Sequence, residues 1–360
     1  MILSCLCSSG GSPDRVFCVG NYGVIDVSFP RDAISIRLVD GPEGMQLIEA
    51  AGLLLWSPAT SQVGVHHATV EARMPDGQVR REEYDLRATH LQKALFVFAH
   101  QDDEFGILAR MIQLKEQGVD VTAVWTLGNK RRVAESAKAM DLIGVPKDRL
   151  HTLSCGGLAN AASVKKTVDS LAQLMRTNQF EEIYVNAFEG GHFQHDLTQF
   201  AVVQAAQAAG FTGQIYEFPL YNFDGWVNLF RLVPATVPTI QMSLARERMK
   251  FIQSLTTCYP SQALTTLGFT VAMPTRHKMH PTFRPLPAWD YTRPPHPGCV
   301  WHDINLRQRI SGSRSYRDAV LNVVREYYNL SGVHPSTALV HEQDKTREAR
   351  KQAAKALPAN

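Results

Sequence analysis

Ala94-Leu-Phe-Val-Phe-Ala-His100-Gln-Asp102-Asp103-Glu104 decides the reading of this chain. Its apolar run ends at once in a histidine and a group of acids. A short apolar run bounded by charge reads as a strand buried on both faces of a parallel sheet. Polar groups at the carboxyl end of such a strand lie where open α/β sheets bind ligands. Imidazole and carboxylate are donors that zinc accepts. In an extended segment Asp102 and Asp103 point to opposite faces, so they could divide metal binding and proton transfer between them. The same residues would also suit a solvated turn that opens a helix.

Downstream, apolar residues at Ile107, Leu108, Met111, Ile112 and Leu114 form a helical stripe that stops at Gly118. Strand-like runs at 119–127, 149–154, 182–188 and 214–221 then alternate with helical patterns at 131–143 and 164–175. This alternation predicts right-handed βαβ units and an α/β fold with a Rossmann-like, mostly parallel sheet and flanking helices. The loop after the fourth strand reads Glu189-Gly-Gly191-His192-Phe-Gln-His195-Asp196 and leads into a helix through Ala209. His192 and His195 are three apart at a helix start, which places their rings on one face about 5 Å apart. Two loops at the carboxyl ends of parallel strands converge on one edge of the sheet, and together they read as a metal site.

Upstream, residues 15–87 show short alternating runs separated by Gly, Pro and Asp, the pattern of a small all-β sandwich. Pro75-Asp-Gly77 is a hairpin turn. The stretch from Gly52 through Trp56 to Val70 resembles Ig-like or cadherin-like modules. His66 and His67 are neighbours in a strand pattern, so one faces core and one faces solvent, and Trp56 is a core plug. The division expected is a sandwich over 1–90, an α/β domain over 91–265 and a C-terminal extension over 266–360. Within the last part, residues 272–297 are rich in Pro, His and aromatics and read as irregular. Residues 316–328 read as a helix, and 341–356 as a charged, solvated tail.

Composition narrows the function classes. The chain has 360 residues, 44% hydrophobic and 20% charged, with a formal net charge of +3. That is an ordinary globular composition, and so weak a charge gives no support to nucleic-acid binding. The six cysteines are scattered without a CxxC pair, which predicts reduced thiols and a cytoplasmic setting. Met1 to Cys7 makes a poor signal peptide, although a start site further upstream would change that reading. No segment reaches the roughly 18 apolar residues of a membrane span.

Taken together, Ala99-His100-Gln101-Asp102-Asp103-Glu104 and Gly191-His192-Phe193-Gln194-His195 resemble the two signatures of the PIG-L/LmbE-type de-N-acetylases. Arg132-Val-Ala-Glu135 with Ala139 and Gly144, and Tyr259-Pro-Ser-Gln262 after a basic helix, also resemble that family, and the likeness runs from about residue 93 to 262. The resemblance implies a zinc hydrolase that removes acetyl from an N-acetylglucosamine-type sugar, free, lipid-linked or in a glycan precursor. It implies that His100, Asp103 and His195 hold one zinc ion. It makes Asp102 the general base, His192 the residue that stabilises the oxyanion and protonates the leaving amine, and Arg132 a ligand of sugar hydroxyls. Arg132 could otherwise be a helix-surface partner of Glu135.

The chain departs from the family at three places. Gln101 replaces a proline, Phe193-Gln194 replaces Pro-Asp, and Cys155-Gly-Gly-Leu-Ala-Asn160 lacks an aspartate that many relatives use for sugar contacts. Two other readings stand beside the deacetylase. One is a sugar-binding or scaffold protein with a vestigial metal site, and the other is an amidohydrolase acting on other N-acyl compounds. Partners expected are an N-acetylated sugar and no nucleic acid, with peripheral association to a lipid-linked substrate and the oligomeric state left open.

Overall fold

The computed structural model describes residues 15–27, 29, 33–153, 155–225, 228–263, 281–300 and 315–332. The chain divides into two compact units, Met1–Leu91 with Thr212–Gln214, and Gln92–Phe211 with Ile215–Asn360. The expectations for Cys5, Cys7, His277, His280 and the tail at 341–356 fall outside the described residues.

The first unit contains β1 (Arg15–Cys18), β2 (Gly23–Asp26), β3 (Ser35–Asp40), β4 (Gln46–Ile48), β5 (Leu53–Trp56), β6 (Gly64–Arg73) and β7 (Val79–Thr89). They form a sheet of order β1-β7-β6-β3 and a second of order β2-β5-β4. Phe17, Ile25, Leu54, Trp56, Val70 and Leu86, drawn from both sheets, close on one apolar core. Strand alternation does what the sequence implied at the paired histidines. The His66 ring meets the edge of the buried Trp56 at 5.1 Å, while the His67 ring is exposed and bonds Asp85 at 2.7 Å. Gly77, at φ 84°, makes the turn between β6 and β7, where Met74 N–H donates to the Gln78 carbonyl at 2.8 Å.

The second unit runs β8 (Lys93–Phe98), α1 (Leu108–Glu116), β9 (Asp120–Trp125), α2 (Lys130–Leu142), β10 (Leu150–Thr152), α3 (Ala161–Asn178), β11 (Glu182–Asn186), α4 (Phe193–Ala209) and β12 (Gln214–Phe218). It continues with β13 (Tyr221–Asn222), β14 (Asn228–Leu229), β15 (Ile240–Gln241), α5 (Arg246–Ser254), β16 (Thr282–Pro285) and α6 (Asn322–Ser331). The large sheet has the order β10-β9-β8-β11-β12-β16-β15. Pairing of β8 with β9 and β11, and of β9 with β10, is parallel, whereas β16 is antiparallel to both neighbours. The result is a mixed α/β unit built on a largely parallel sheet flanked by helices.

The unbroken apolar run of β8 has a direct cause. Leu95 and Val97 face a core built with α3 and α4, while Phe96 lies on the opposite face in an aromatic row, 4.6 Å from Tyr184, which is 5.0 Å from Tyr216. Both faces are covered, so neither can be polar. Strand order reverses at β8. The chain steps outward through β9 and β10, then returns to the other side of β8 as β11. The loops after β8 and β11 therefore leave in opposite directions and open a crevice between them.

One expectation needs correction. The Pro-rich stretch expected to be irregular contains β16, whose short length confines Pro285 to its last position; the Leu286 N–H supplies the next bond, to the Ile215 carbonyl at 2.8 Å. Among the described residues past 265, β16 enters the large sheet and Val323, Val324 and Tyr327 of α6 join the core of the α/β unit. Among the described residues no helix is long and apolar enough to cross a membrane.

Candidate metal centre

The crevice is lined by the residues of the opening stretch. After β8 the backbone turns sharply: Asp102 takes φ 105°, a left-handed conformation that costs a side-chain-bearing residue roughly 1–3 kcal/mol, and residues Asp103–Gly106 follow as a single 3₁₀ turn. Asp102 and Asp103 therefore diverge because of this turn and not because of strand pleating. The turn is held from three sides. The Asp102 N–H donates to Glu104 Oε2 at 2.7 Å, the Arg132 guanidinium bonds the Gln101 carbonyl and Asp102 Oδ1, the latter at 2.9 Å, and the Gln101 side chain donates to the Leu127 carbonyl at 2.7 Å. Gln101 thus replaces the conformational restraint of a proline with a hydrogen bond.

Glu104 is fully buried and also accepts from Ser136 Oγ at 2.6 Å and from the Tyr259 hydroxyl at 2.8 Å. Burial pushes its carboxyl above the usual range, against these hydrogen bonds. Ser261 donates through its backbone and its hydroxyl to Glu135. Tyr259-Pro-Ser-Gln262 therefore fastens the turn and α2, a role that accounts for its place beside the first motif.

The second loop approaches through a glycine that cannot be replaced. A Cβ on Gly191 would stand 1.9 Å from the Tyr221 carbonyl oxygen. His192 then caps α4, its Nδ1 accepting from the Gln194 N–H at 3.2 Å. His195 is buried on the first turn, with its ring 5.6 Å from that of Tyr221.

The two loops meet. His100 Nδ1 lies 3.3 Å from His195 Nε2 and 3.6 Å from Asp103 Oδ2, and His195 Nε2 lies 3.3 Å from Asp103 Oδ1. His192 is close by, so that donor atoms of His100, His192 and His195 all fall within 4.8 Å of one another. Behind them, Asn186 at the end of β11 ties the centre to the sheet: its amide accepts from the Ala99 N–H at 3.0 Å and donates to Asp103 Oδ2 at 3.3 Å. Sequence reading missed Asn186, although a polar residue closing an apolar strand could have marked it.

Electrostatics sort the acids. Burial opposes the Asp103 charge, yet the His195 and His100 imidazoles outweigh it and hold the carboxyl well below the usual range. For His100, burial works against the cation and the Asp103 carboxylate reverses the balance, so its pKa is raised. Asp102 goes the other way: burial first, then the Asp103 charge, push it up to about 8 in spite of Arg132. Arg132 is committed to Asp102 and the Gln101 carbonyl, while Glu135 takes Arg131 at 3.4 Å, so the helix-surface pairing of Arg132 with Glu135 is not formed.

The donor set suits a zinc ion. Ligand atoms about a zinc ion lie a few ångströms from one another, and His100 Nδ1 and His195 Nε2 are 3.3 Å apart, with Asp103 Oδ2 3.6 Å from the first and Asp103 Oδ1 3.3 Å from the second. His195 Nδ1 is buried without a hydrogen-bond partner. Two imidazoles and a carboxylate converging in a buried place call for a positive centre among them.

No protein-family model matches the chain, and neither does any curated protein. Solved structures similar to it include a deacetylase from the teicoplanin biosynthesis pathway, at 14% identity and a TM-score of 0.42, over 54% of this chain and 97% of that one. The N,N'-diacetylchitobiose deacetylase of Pyrococcus horikoshii is similar at 14% identity and a TM-score of 0.35, over 55% of this chain and 84% of that one. The 4-carboxy-2-hydroxymuconate hydratase of Pseudomonas putida is similar at 16% identity and a TM-score of 0.41, over 55% of this chain and 97% of that one. Deacetylases are thus among the structures this chain is similar to.

Proposed function

We propose that the second unit is a zinc-dependent hydrolase that removes acetyl from an N-acetylated amino sugar. The observation that carries the reading is the meeting of His100 Nδ1, His195 Nε2 and the Asp103 carboxylate, each within 3.6 Å of the others. When bound there, zinc would supply a Lewis acid for the acyl oxygen and lower the pKa of a water.

The choice of Asp103 over His192 as the third ligand is supported by the hydrogen bond that His192 already makes. His192 Nδ1 accepts a backbone N–H, so the proton of the neutral ring sits on Nε2 and leaves no lone pair there for a metal. That Nε2–H is a hydrogen-bond donor instead, suited to an oxyanion, and the proton for the departing amine is the one Asp102 takes from the water. Asp102 has its carboxylate beside the centre and its pKa raised, which matches it to accept the proton of the attacking water and pass it on. Arg132 pairs with Asp102 at 2.9 Å, and from there it would meet sugar hydroxyls. The first unit reads as an Ig-like or cadherin-like module, and the setting as cytoplasmic.

The test is zinc analysis of the purified chain with acetate release from a panel of N-acetyl sugars, run beside N-acyl amino acids. Bound zinc with acetate from a sugar supports the proposal. Turnover confined to N-acyl amino acids moves the substrate class to other amides. Zinc with no turnover on any amide favours a binding protein with a vestigial centre.

A further inference from the structure

We propose that Gln194 is a positioning residue that fixes the ring proton of His100 on Nε2 and thereby turns the Nδ1 lone pair toward the ion. The inference rests on the zinc reading above and deepens it. Gln194 lies between the two histidines of the second loop, and its side chain has two partners. Its Nε2 donates to the Gly157 carbonyl at 3.0 Å, and its Oε1 faces His100 Nε2 at 2.7 Å. A backbone carbonyl only accepts, so the NH₂ end of the amide must face Gly157 and the oxygen end must face His100. That oxygen in turn only accepts, so His100 carries its proton on Nε2. The remaining lone pair is then on Nδ1, the atom 3.3 Å from His195 Nε2 and 3.6 Å from Asp103 Oδ2. Gly157, at φ 74°, belongs to the glycine pair that gives the loop after β10 its left-handed turn.

One residue therefore sets two rings. The Gln194 backbone N–H holds the His192 proton on Nε2, making that ring a donor, and the Gln194 side chain holds the His100 proton on Nε2, making that ring a ligand through Nδ1. A ligand histidine whose second nitrogen is bonded to an acceptor is oriented and made more basic. A neutral amide does this without adding charge, so it leaves the ion a stronger Lewis acid than a carboxylate at the same place would.

Two variants separate this role from a mere loop tie. Gln194→Met and Gln194→Glu both lose the N–H that binds Gly157, but only Gln194→Glu keeps an acceptor for His100. The measurements use the full chain: zinc affinity by chelator competition, and the His100 tautomer by ¹⁵N NMR of metal-free protein at a pH where the ring is neutral. The parent should show the Nε2–H form. Gln194→Met should mix the tautomers and weaken zinc by about 10–100-fold, whereas Gln194→Glu should keep the Nε2–H form and bind zinc as tightly as the parent or more so. An Nδ1–H tautomer in the metal-free parent overturns the proposal whether or not either variant folds. Equal loss of affinity in both variants overturns it too, because that is what a loop tie alone would give. A parent that binds no zinc sinks the hydrolase reading, while its His100 tautomer still decides the role of Gln194.

Discussion

Asp102→Asn leaves every proposed ligand in place and removes only the proposed base. Asn keeps an oxygen for Arg132 Nη2, which stands 2.9 Å from Asp102 Oδ1, and Arg132 also keeps the Gln101 carbonyl. What disappears is the charge assistance of that contact, worth about 1 kcal/mol over a neutral hydrogen bond. Against this, the variant no longer carries a buried carboxylate whose ionisation is opposed first by desolvation and then by Asp103. The two effects have opposite sign, so stability should move by no more than about 1 kcal/mol. Turnover should fall by about 10²–10⁴, the usual contribution of a positioned base, which corresponds to about 2.7–5.4 kcal/mol on the barrier. Zinc content by atomic emission, melting by calorimetry and acetate release on one preparation give all three numbers. Full zinc with more than a tenth of the parent's turnover would refute the assignment of Asp102 as base, and loss of zinc would place Asp102 among the ligands.

Other substitutions probe the frame around the centre. His195→Ala removes a proposed ligand and should weaken zinc by more than about 100-fold, a larger effect than loss of an outer contact, as read by equilibrium dialysis. Glu104→Ala leaves the donors of Asp102, Ser136 and Tyr259 without their buried acceptor; at about 1–3 kcal/mol for each, denaturant melts should show a loss of at least about 3 kcal/mol. In the first unit, Arg37 and then Arg81 hold the Glu71 carboxyl below the usual glutamate range. Because the folded pKa is lowered, this stabilisation is complete above the unfolded value and disappears as pH falls through the folded one. Glu71→Gln should therefore lower the melting temperature at neutral pH, converge with the parent in strong acid, and differ less at high salt.

Much of the second unit was legible because its signals are local. An apolar run without polar interruption requires cover on both faces, and the Leu95/Val97 and Phe96 faces each have it. The helix stop at Gly118 lies within two residues of the end of α1. The strand in the Pro-rich stretch was illegible for a physical reason. Its few residues are held by β12 and β15, which are remote in sequence, and no local periodicity reports such pairing. β4 was missed likewise, being a short strand that exists through its pairing with β5.

At the centre, residue types were readable and protonation was not. The sequence supplies three histidines and two adjacent aspartates without saying which nitrogen bears a proton, and in the proposed reading that choice separates ligand from donor. The deciding groups are ones a motif treats as filler: the Gln194 N–H beneath His192, the Gln194 amide beside His100, and the Gly157 carbonyl that orients that amide. Asp102 shows the same limit. Its type marks it as a base, but its raised pKa comes from burial and from Asp103 on the far side of a left-handed turn. That turn persists because Glu104, Ser136 and Tyr259, brought together from three parts of the chain, satisfy one another around it. Two carboxylates adjacent in sequence thus come to differ in pKa, one held as an anion between imidazoles and the other left ready to take a proton, through contacts that only the folded chain assembles.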